Sequence, residues 1–369
     1  MNTIALSPTT AVGAGERRSF SGGRGEAVLA AASRRLSRVV AYDSAVWYGV
    51  DPFSLMPTSP TRVENTVAGY CASYWRYEFQ IEDVMLFRDL ARSPSAVASL
   101  RATTDDNPTR STRFRELLEP LGYDDELRAV VRFGERAWGL IDLFRDRGRP
   151  PFSPRDIAAV AGLAGTLGSW LADVVTQGHR AGDVAPSWGP GAAMLGADGE
   201  ITALDESAER WFAELAGPRW ADDEAFLGPM SALVARAASV AAGRDRGPAR
   251  AHVQTMTGRW LVAHASVLRG RDAGNHGTSL VIEPAMLGEV APILVEAFGL
   301  TAREREITCA VGRGHANAQI AQDLVLSQHT VRDHLKAIFA KVGVSSRGEL
   351  VAMLFADQRP VGPHAMIVG

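Results

Sequence analysis

The sequence predicts a multidomain chain: two α+β domains followed by an all-α domain of four helices. Three observations lead there. The length of 369 residues exceeds one domain at ~100–200 residues each. Strand and helix periodicities are mixed up to about residue 285, whereas beyond it the pattern is helical throughout. Residues 176–189 hold Gly178, Gly182, Pro186 and Gly189, a linker composition that marks a boundary.

Residues 1–25 are rich in Ser, Thr, Gly and Arg and are expected to be disordered. Arg17-Arg18-Ser19-Phe20 superficially matches a twin-arginine export signal, but the apolar run behind it, Ala27 to Ala32, stops at Ser33 and Arg34-Arg35 and is too short for an h-region. The first α+β domain is placed at 26–175. Ala45 to Val50 reads as a strand, and Gly69 to Leu90 as one helix carrying Tyr74, Trp75, Phe79, Val84 and Phe87. Leu127–Phe133 and Ala137–Phe144 form a hairpin about Gly134-Glu135-Arg136. The acidic run Asp124-Asp125-Glu126 is read as a solvated loop leading into it. A helix follows, with Ser153 as cap, Pro154 in the first turn and Asp156 in the capping-box position. Its stripe Val160, Leu163, Leu167, Leu171 and Val174 is expected to pack on its own sheet. A second stripe meeting a partner chain stays open. Ile157 to Val175 has the length of a membrane span, but its Ala/Gly content and Asp173 favour a water-soluble helix.

The second domain, 190–285, opens with strand, turn (Asp198-Gly199), strand, then a helix from Asp205 presenting Ala208, Trp211, Phe212 and Leu215. It closes on three strand-like runs at Ala251–Met256, Arg259–Leu268 and Thr278–Glu283, which predicts an antiparallel sheet with helices on one face. Residues 286–298 form a coupling helix into the third domain, 299–358, and 359–369 are a tail. In the third domain Thr301-Ala302-Arg303-Glu304 is a capping box opening a helix that buries Ile307, Ala310 and Val311 and stops at Gly314. A short helix, Asn317–Leu324, has small Ala321 where a neighbour can cross closely. After Val325-Leu326-Ser327 comes an amphipathic helix with Val331, Leu335, Ile338 and Val342 on its buried stripe, Ser327 as N-cap and Gly343 as left-handed C-terminal residue. A fourth helix, Arg347–Ala356, braces the bundle. Helix, short helix, tight turn and longer helix with a polar face is a helix-turn-helix, whose second helix enters the major groove.

Composition bounds the function. The chain is 46% hydrophobic and 22% charged with a net charge of −3, so a nucleic-acid face must be a local patch. Its only lysines are Lys336 and Lys341, which rules out a Walker A lysine; H-E-x-x-H and G-x-S-x-G are absent as well. Cys71 and Cys309 form no C-x-x-C, so neither a disulfide framework nor a cysteine-only metal site is expected, and the chain reads as a cytoplasmic protein. No enzyme activity, cofactor or metal is expected. His334 reads as a structural histidine on the helix flank. Trp47, Trp75, Trp138, Trp211 and Trp260 read mainly as core.

Residues 139–165, GLIDLFRDRGRPPFSPRDIAAVAGLAG, resemble the end of GAF domains, and 190–285 resembles a degenerate PAS domain. Leu300-Thr301, Arg303-Glu304, Glu306, Gly314, Ile320-Ala321, Leu324, Ser327, Thr330-Val331, His334, Lys341, Gly343-Val344 and Arg347 are similar to LuxR-type helix-turn-helix DNA-binding domains, in an actinobacterial-like setting. That resemblance implies double-stranded DNA and a homodimer as partners, with a small-molecule ligand and RNA polymerase as further candidates and no membrane. By position it places Arg332, Asp333 and Lys336 on base edges, with Ser327, Gln328, Thr330 and Lys341 nearer the backbone; His329 shares the exposed face. The two lysines are read either as flexible cations that meet DNA or as chance survivors. Asp333 departs from the apolar residue often found there. It either accepts from cytosine N4 or pairs with Arg332 or Lys336 and orients them. Two functions follow: a transcription regulator whose GAF-like and PAS-like domains control a dimeric helix-turn-helix, or a ligand-sensing or interaction scaffold with weak or vestigial DNA binding. The dimer contact is placed on helix 157–175 or on Arg347–Ala356. An ATP-driven member of the family is excluded by the missing Walker lysine, and a lactone receptor is disfavoured by the inserted second domain.

Overall fold

The computed structural model describes residues 17–20, 23–67, 69, 71–181, 188–196, 199–269 and 275–355. The expectations for residues 1–16 and for the tail 359–369 lie outside them, as do residues 182–187 of the linker and 356–358 at the end of the third domain. In chain order the elements are β1 (Arg17–Phe20), α1 (Arg24–Leu36), β2 (Ser44–Val50), β3 (Pro57–Glu64), α2 (Cys71–Phe79), α3 (Phe87–Leu90), β4 (Val97–Ser99), α4 (Leu100–Thr103), β5 (Tyr123–Phe133), β6 (Arg136–Asp146) and α5 (Pro154–Ala181). They continue with β7 (Gly191–Leu195), β8 (Ile201–Leu204), α6 (Glu206–Ala216), α7 (Glu224–Ala241), β9 (Arg250–Gln254), β10 (Trp260–Arg269), β11 (Asn275–Pro284), α8 (Leu287–Ala297), α9 (Ala302–Gly312), α10 (Asn317–Asp323), α11 (Gln328–Val342) and α12 (Arg347–Phe355).

The first domain is an antiparallel sheet in the order β1-β3-β2-β6-β5-β4. Both faces are covered, so β2 is buried along its whole length. Side chains alternate across the pleat: Trp47 joins Leu29, Leu36, Val160, Leu163 and Leu167 under α1 and α5, while Val46, Tyr48 and Val50 join Tyr74, Trp75 and Phe87 on the other face. The α5 stripe packs on its own sheet as expected, and Gly168 allows the approach, because a Cβ there would stand 2.3 Å from the Arg132 carbonyl oxygen. Ser153 and Asp156 cap it reciprocally: Oδ2 of Asp156 accepts the Ser153 N–H at 2.8 Å and Ser153 Oγ accepts the Asp156 N–H at 3.3 Å.

Several expectations are corrected. α5 runs six residues past Val175 to Ala181, across the start of the expected linker, because Thr176 and His179 are themselves buried. The helix expected over Gly69–Leu90 is broken into α2 and α3, with Met85 at φ 56°; the Asp83 carboxylate accepts the Arg113 N–H at 2.6 Å and the Ser111 hydroxyl at 3.0 Å, so tertiary bonds replace helical ones. The hairpin turn is two residues, Gly134-Glu135, instead of three. Part of the expected disordered N-terminus is ordered, since β1 pairs with β3 and α1 starts at Arg24. Asp125 and Glu126 are fully buried rather than solvated.

The second domain is an antiparallel sheet ordered β8-β7-β11-β10-β9. Asp205 caps α6 by accepting the Ala208 N–H at 2.7 Å, and Trp211, Phe212 and Leu215 are buried as the periodicity predicts. Helix α7 also packs on the first domain: Ser239 Oγ donates to the Phe79 carbonyl at 2.7 Å and Arg236 to the Ser54 carbonyl at 2.7 Å. One apolar cluster therefore runs through both domains, so residues 176–189 join two packed halves. Helix α8 enters the third cluster with Val290, Leu294 and Val295.

Candidate nucleic-acid interface

The helix-turn-helix is built from local signals. Val325, 91% exposed and at φ 53°, reverses the chain after α10. Ser327 Oγ accepts the Thr330 N–H at 3.0 Å, which fixes the first turn of α11, and Gly343 ends it at φ 73°, where a side chain would be strained. Val331, Leu335, Ile338 and Val342 are buried among Ile307, Val311, Ile320, Leu350 and Leu354. The Thr301/Glu304 capping box opens α9 with both reciprocal bonds present, and Arg347 donates to the His315 and Val311 carbonyls, pinning α12 to the α9–α10 corner.

Burial of one stripe leaves the other in water. His329, Arg332, Asp333 and Lys336 are all exposed, as are Ser327 and Gln328; Thr330 is half-buried. His329 Nδ1 lies 2.8 Å from Asp333 Oδ2 and Lys336 Nζ 3.5 Å from Asp333 Oδ1, while Arg332 Nε donates to the Gln328 carbonyl at 3.4 Å. Of the partners weighed for Asp333, the structure supplies Lys336 and adds His329 instead of Arg332. These pairs stand in water, where each is worth only ~0–1 kcal/mol.

Lys341 departs from this set. Its ammonium donates to Glu304 Oε2 at 2.6 Å and to the Gly299 carbonyl at 3.3 Å, so it clamps the end of α11 to the start of α9. Burial pulls the Glu304 carboxyl upward, but the Lys341 and Thr301 hydrogen bonds outweigh it and hold it below the ordinary glutamate range. Sequence reasoning also missed Arg305, which donates to Glu135 on the β5–β6 turn at 2.7 Å and to Glu296 at the end of α8 at 3.1 Å. Glu135 lies 170 residues away in sequence and Glu296 nine, across the α8–α9 corner, and no local pattern announces either. His179 on α5 meets the Met353 carbonyl of α12 at 2.9 Å. The third domain is thus docked on the first two while the exposed face of α11 stays open.

The first domain holds a second, buried charge cluster. Arg113 donates to Glu126 at 2.6 Å, and Arg128 donates to Glu78 at 2.8 Å and to Glu126 at 3.1 Å, with Asp142 at 3.3 Å. Burial and the neighbouring Glu126 charge push Asp142 well up; burial also raises Glu126, but the two guanidiniums outweigh that and hold it down. Among the described residues no group of three His, Cys, Asp or Glu side chains is placed to hold a metal.

Residues 299–354 match the family described as "Bacterial regulatory proteins, luxR family". The chain is 48% identical over 54 residues to "Probable transcriptional regulatory protein SgaR" of Hyphomicrobium methylovorum, covering 15% of this chain and 26% of that protein. It is 51% identical over 53 residues to the monoamine regulon transcriptional regulator of Klebsiella aerogenes, covering 14% and 23%. The chain therefore spans about a quarter of the length of these relatives. Among solved structures, the GAF domain/HD domain protein of Geobacter sulfurreducens aligns over 40% of this chain and 91% of its own at 18% identity, with a TM-score of 0.30, too distant to carry an argument. The residues of α9 to α12, their caps and this match agree: the chain carries, at its C-terminal end, a LuxR-type helix-turn-helix domain.

Proposed function

We propose that the chain is a sequence-specific DNA-binding transcription regulator, not an enzyme, acting in the cytoplasm. In this reading the GAF-like first domain and PAS-like second domain sense a small molecule or partner and control a dimeric helix-turn-helix. One observation carries it: α11 is capped at both ends, buried along one stripe, and exposes Arg332, Asp333 and Lys336 on the other, within the segment that matches the luxR-family regulators. Arg332 and Lys336 meet base edges, Ser327, Gln328, His329 and Thr330 position the helix on phosphates, and Lys341 serves as an internal clamp. A homodimer would present two α11 helices to half-sites one helical turn apart, ~34–36 Å. Double-stranded DNA is the principal partner, and a contact with RNA polymerase belongs to the same reading.

The alternative, a sensing or interaction scaffold with weak or vestigial DNA binding, draws on Asp333, a carboxylate on the exposed face that already engages Lys336 and His329. Selection of bound sequences from random duplex DNA, followed by affinity against salt, separates the two. A regulator yields a defined site, with affinity falling steeply as salt rises; Lys336→Ala weakens that site by ~1–3 kcal/mol if the lysine reads a base. Wild-type affinity in the variant removes the base-reading role, and failure to select any sequence favours the scaffold.

A further inference from the structure

Helix α5 buries one side against its own sheet and leaves another uncovered. At 3.6 residues per turn, Arg155, Ala158, Gly162, Thr166, Ser169 and Asp173 fall within about 80° of arc, away from the stripe of Val160, Leu163, Leu167 and Leu171. All are exposed except Ser169, which is half-buried. No charged residue stands between Asp156 and Asp173, so this side is a band of small uncharged residues closed by one charge at each end.

Two glycines on it have no role inside the chain. Gly168 lies against the Arg132 carbonyl and has no room for a side chain, but a Cβ at Gly162 or Gly165 would meet nothing within 4 Å, and neither residue has a positive φ. Glycine in the middle of a helix is destabilising relative to alanine. What it permits is the close approach of another backbone.

The end charges indicate which backbone that is. Neither Arg155 nor Asp173 has a side-chain partner among the described residues. They are opposite in sign and each stands nine residues from Ala164, which lies midway between Gly162 and Thr166. In a two-fold contact residue i meets j while j meets i. Two antiparallel α5 helices crossing at this level therefore set Arg155 against the partner's Asp173 at both ends, whereas a parallel pair sets each charge against its own copy. Helix α12, by contrast, is engaged within the chain: Leu350 and Leu354 are buried in the third cluster, and His179 meets the Met353 carbonyl.

We propose that two copies of this chain associate through this face of α5, antiparallel, with Gly162 and Gly165 at the crossing and Arg155 paired to the partner's Asp173. The proposal deepens the regulator reading, which calls for a homodimer, and rests on it.

The test is sedimentation equilibrium of the full chain without DNA, where a dimer is expected at micromolar concentration. Gly165→Leu should weaken association at least about thirtyfold, since its bulk enters the contact twice. Its monomer should unfold no earlier than the wild type, because the new side chain meets open space and leucine favours a helix over glycine. Arg155→Asp and Asp173→Arg should each weaken the dimer about tenfold, and the chain carrying both should recover it; in a parallel pair neither single change matters. A chain that stays monomeric, a dimer indifferent to Gly165→Leu, or charge reversals without recovery overturns the contact. A monomer that sediments with phosphatidylcholine–phosphatidylglycerol vesicles overturns it in favour of a lipid surface. A chain that selects a DNA sequence as a monomer loses only this contact, and a dimer with the expected variants that selects none keeps the contact and loses the regulator reading.

Discussion

The two charge clusters of this chain use similar side chains and differ in their solvent. In the first domain Glu78, Arg113, Glu126, Arg128 and Asp142 are at most 4% exposed. On α11, His329, Asp333 and Lys336 are 53–79% exposed. In the interior a charge stripped of its partner has no water to turn to, and removing one member of such a pair costs ~3–5 kcal/mol; on α11 the same loss costs ~0–1 kcal/mol. The buried cluster is therefore committed to the fold, and the exposed one is free to exchange its partners.

The sharpest way to break this comparison is Glu126→Ala. It should lower the stability of the first domain by about 3–5 kcal/mol, seen by calorimetry as a fall of its unfolding temperature on the order of 10 °C. A loss under about 1 kcal/mol would mean that water reaches the cluster. Next is Ile338→Ala, which opens a cavity under α11 and should cost about 2–5 kcal/mol. Hydrogen exchange should rise across α9 to α12 and DNA binding should fall while the first domain is unmoved; equal loosening of both would show that the docked domains unfold as one unit.

Smaller effects sharpen the picture of α11 itself. Ser327→Ala removes the acceptor of the Thr330 N–H and should cost about 1 kcal/mol, localised by hydrogen exchange to the first turn of the helix. The smallest effect is in the Glu304–Lys341 clamp. Because the folded Glu304 carboxyl sits below its ordinary 4.5, its contribution is complete above about pH 4.5 and is lost as pH falls through the folded value. The stability gap between the wild type and Glu304→Gln, measured by denaturant titration, should be under about 1 kcal/mol at neutral pH and shrink as the solution is acidified below 4.5. A gap that grows on acidification contradicts the assignment.

The third domain was legible because its signals are local. The Thr301–Glu304 box, the Ser327 cap, the four-residue and three-residue spacing from Val331 to Val342 and the Gly343 stop each lie within a few residues of what they control. The exposure of Ser327, Gln328, His329, Arg332, Asp333 and Lys336 was legible for the same reason; the clamp that Lys341 makes was not, because its carboxylate partner is 37 residues away. The first domain was less so. β3 hides behind Pro57 and Pro60, which argue against a strand, and yet it pairs with both β1 and β2. Glu126 reads as part of a solvated loop, and Arg128, which shares its buried cluster, is 50 residues from Glu78.

By itself the sequence determined the order of α+β and all-α segments, the caps, the amphipathic stripe of α11 and the polar residues it presents, because these follow from hydrogen bonds and periodicities within one or two turns. Only the tertiary structure decided that the linker joins packed halves, that α5 runs on to Ala181, that Arg305 ties the third domain to Glu135 and Glu296, and that five ionisable groups share one interior. Those outcomes depend on which distant surfaces exclude water together, and desolvation is a property of the assembled fold that no short stretch of chain carries.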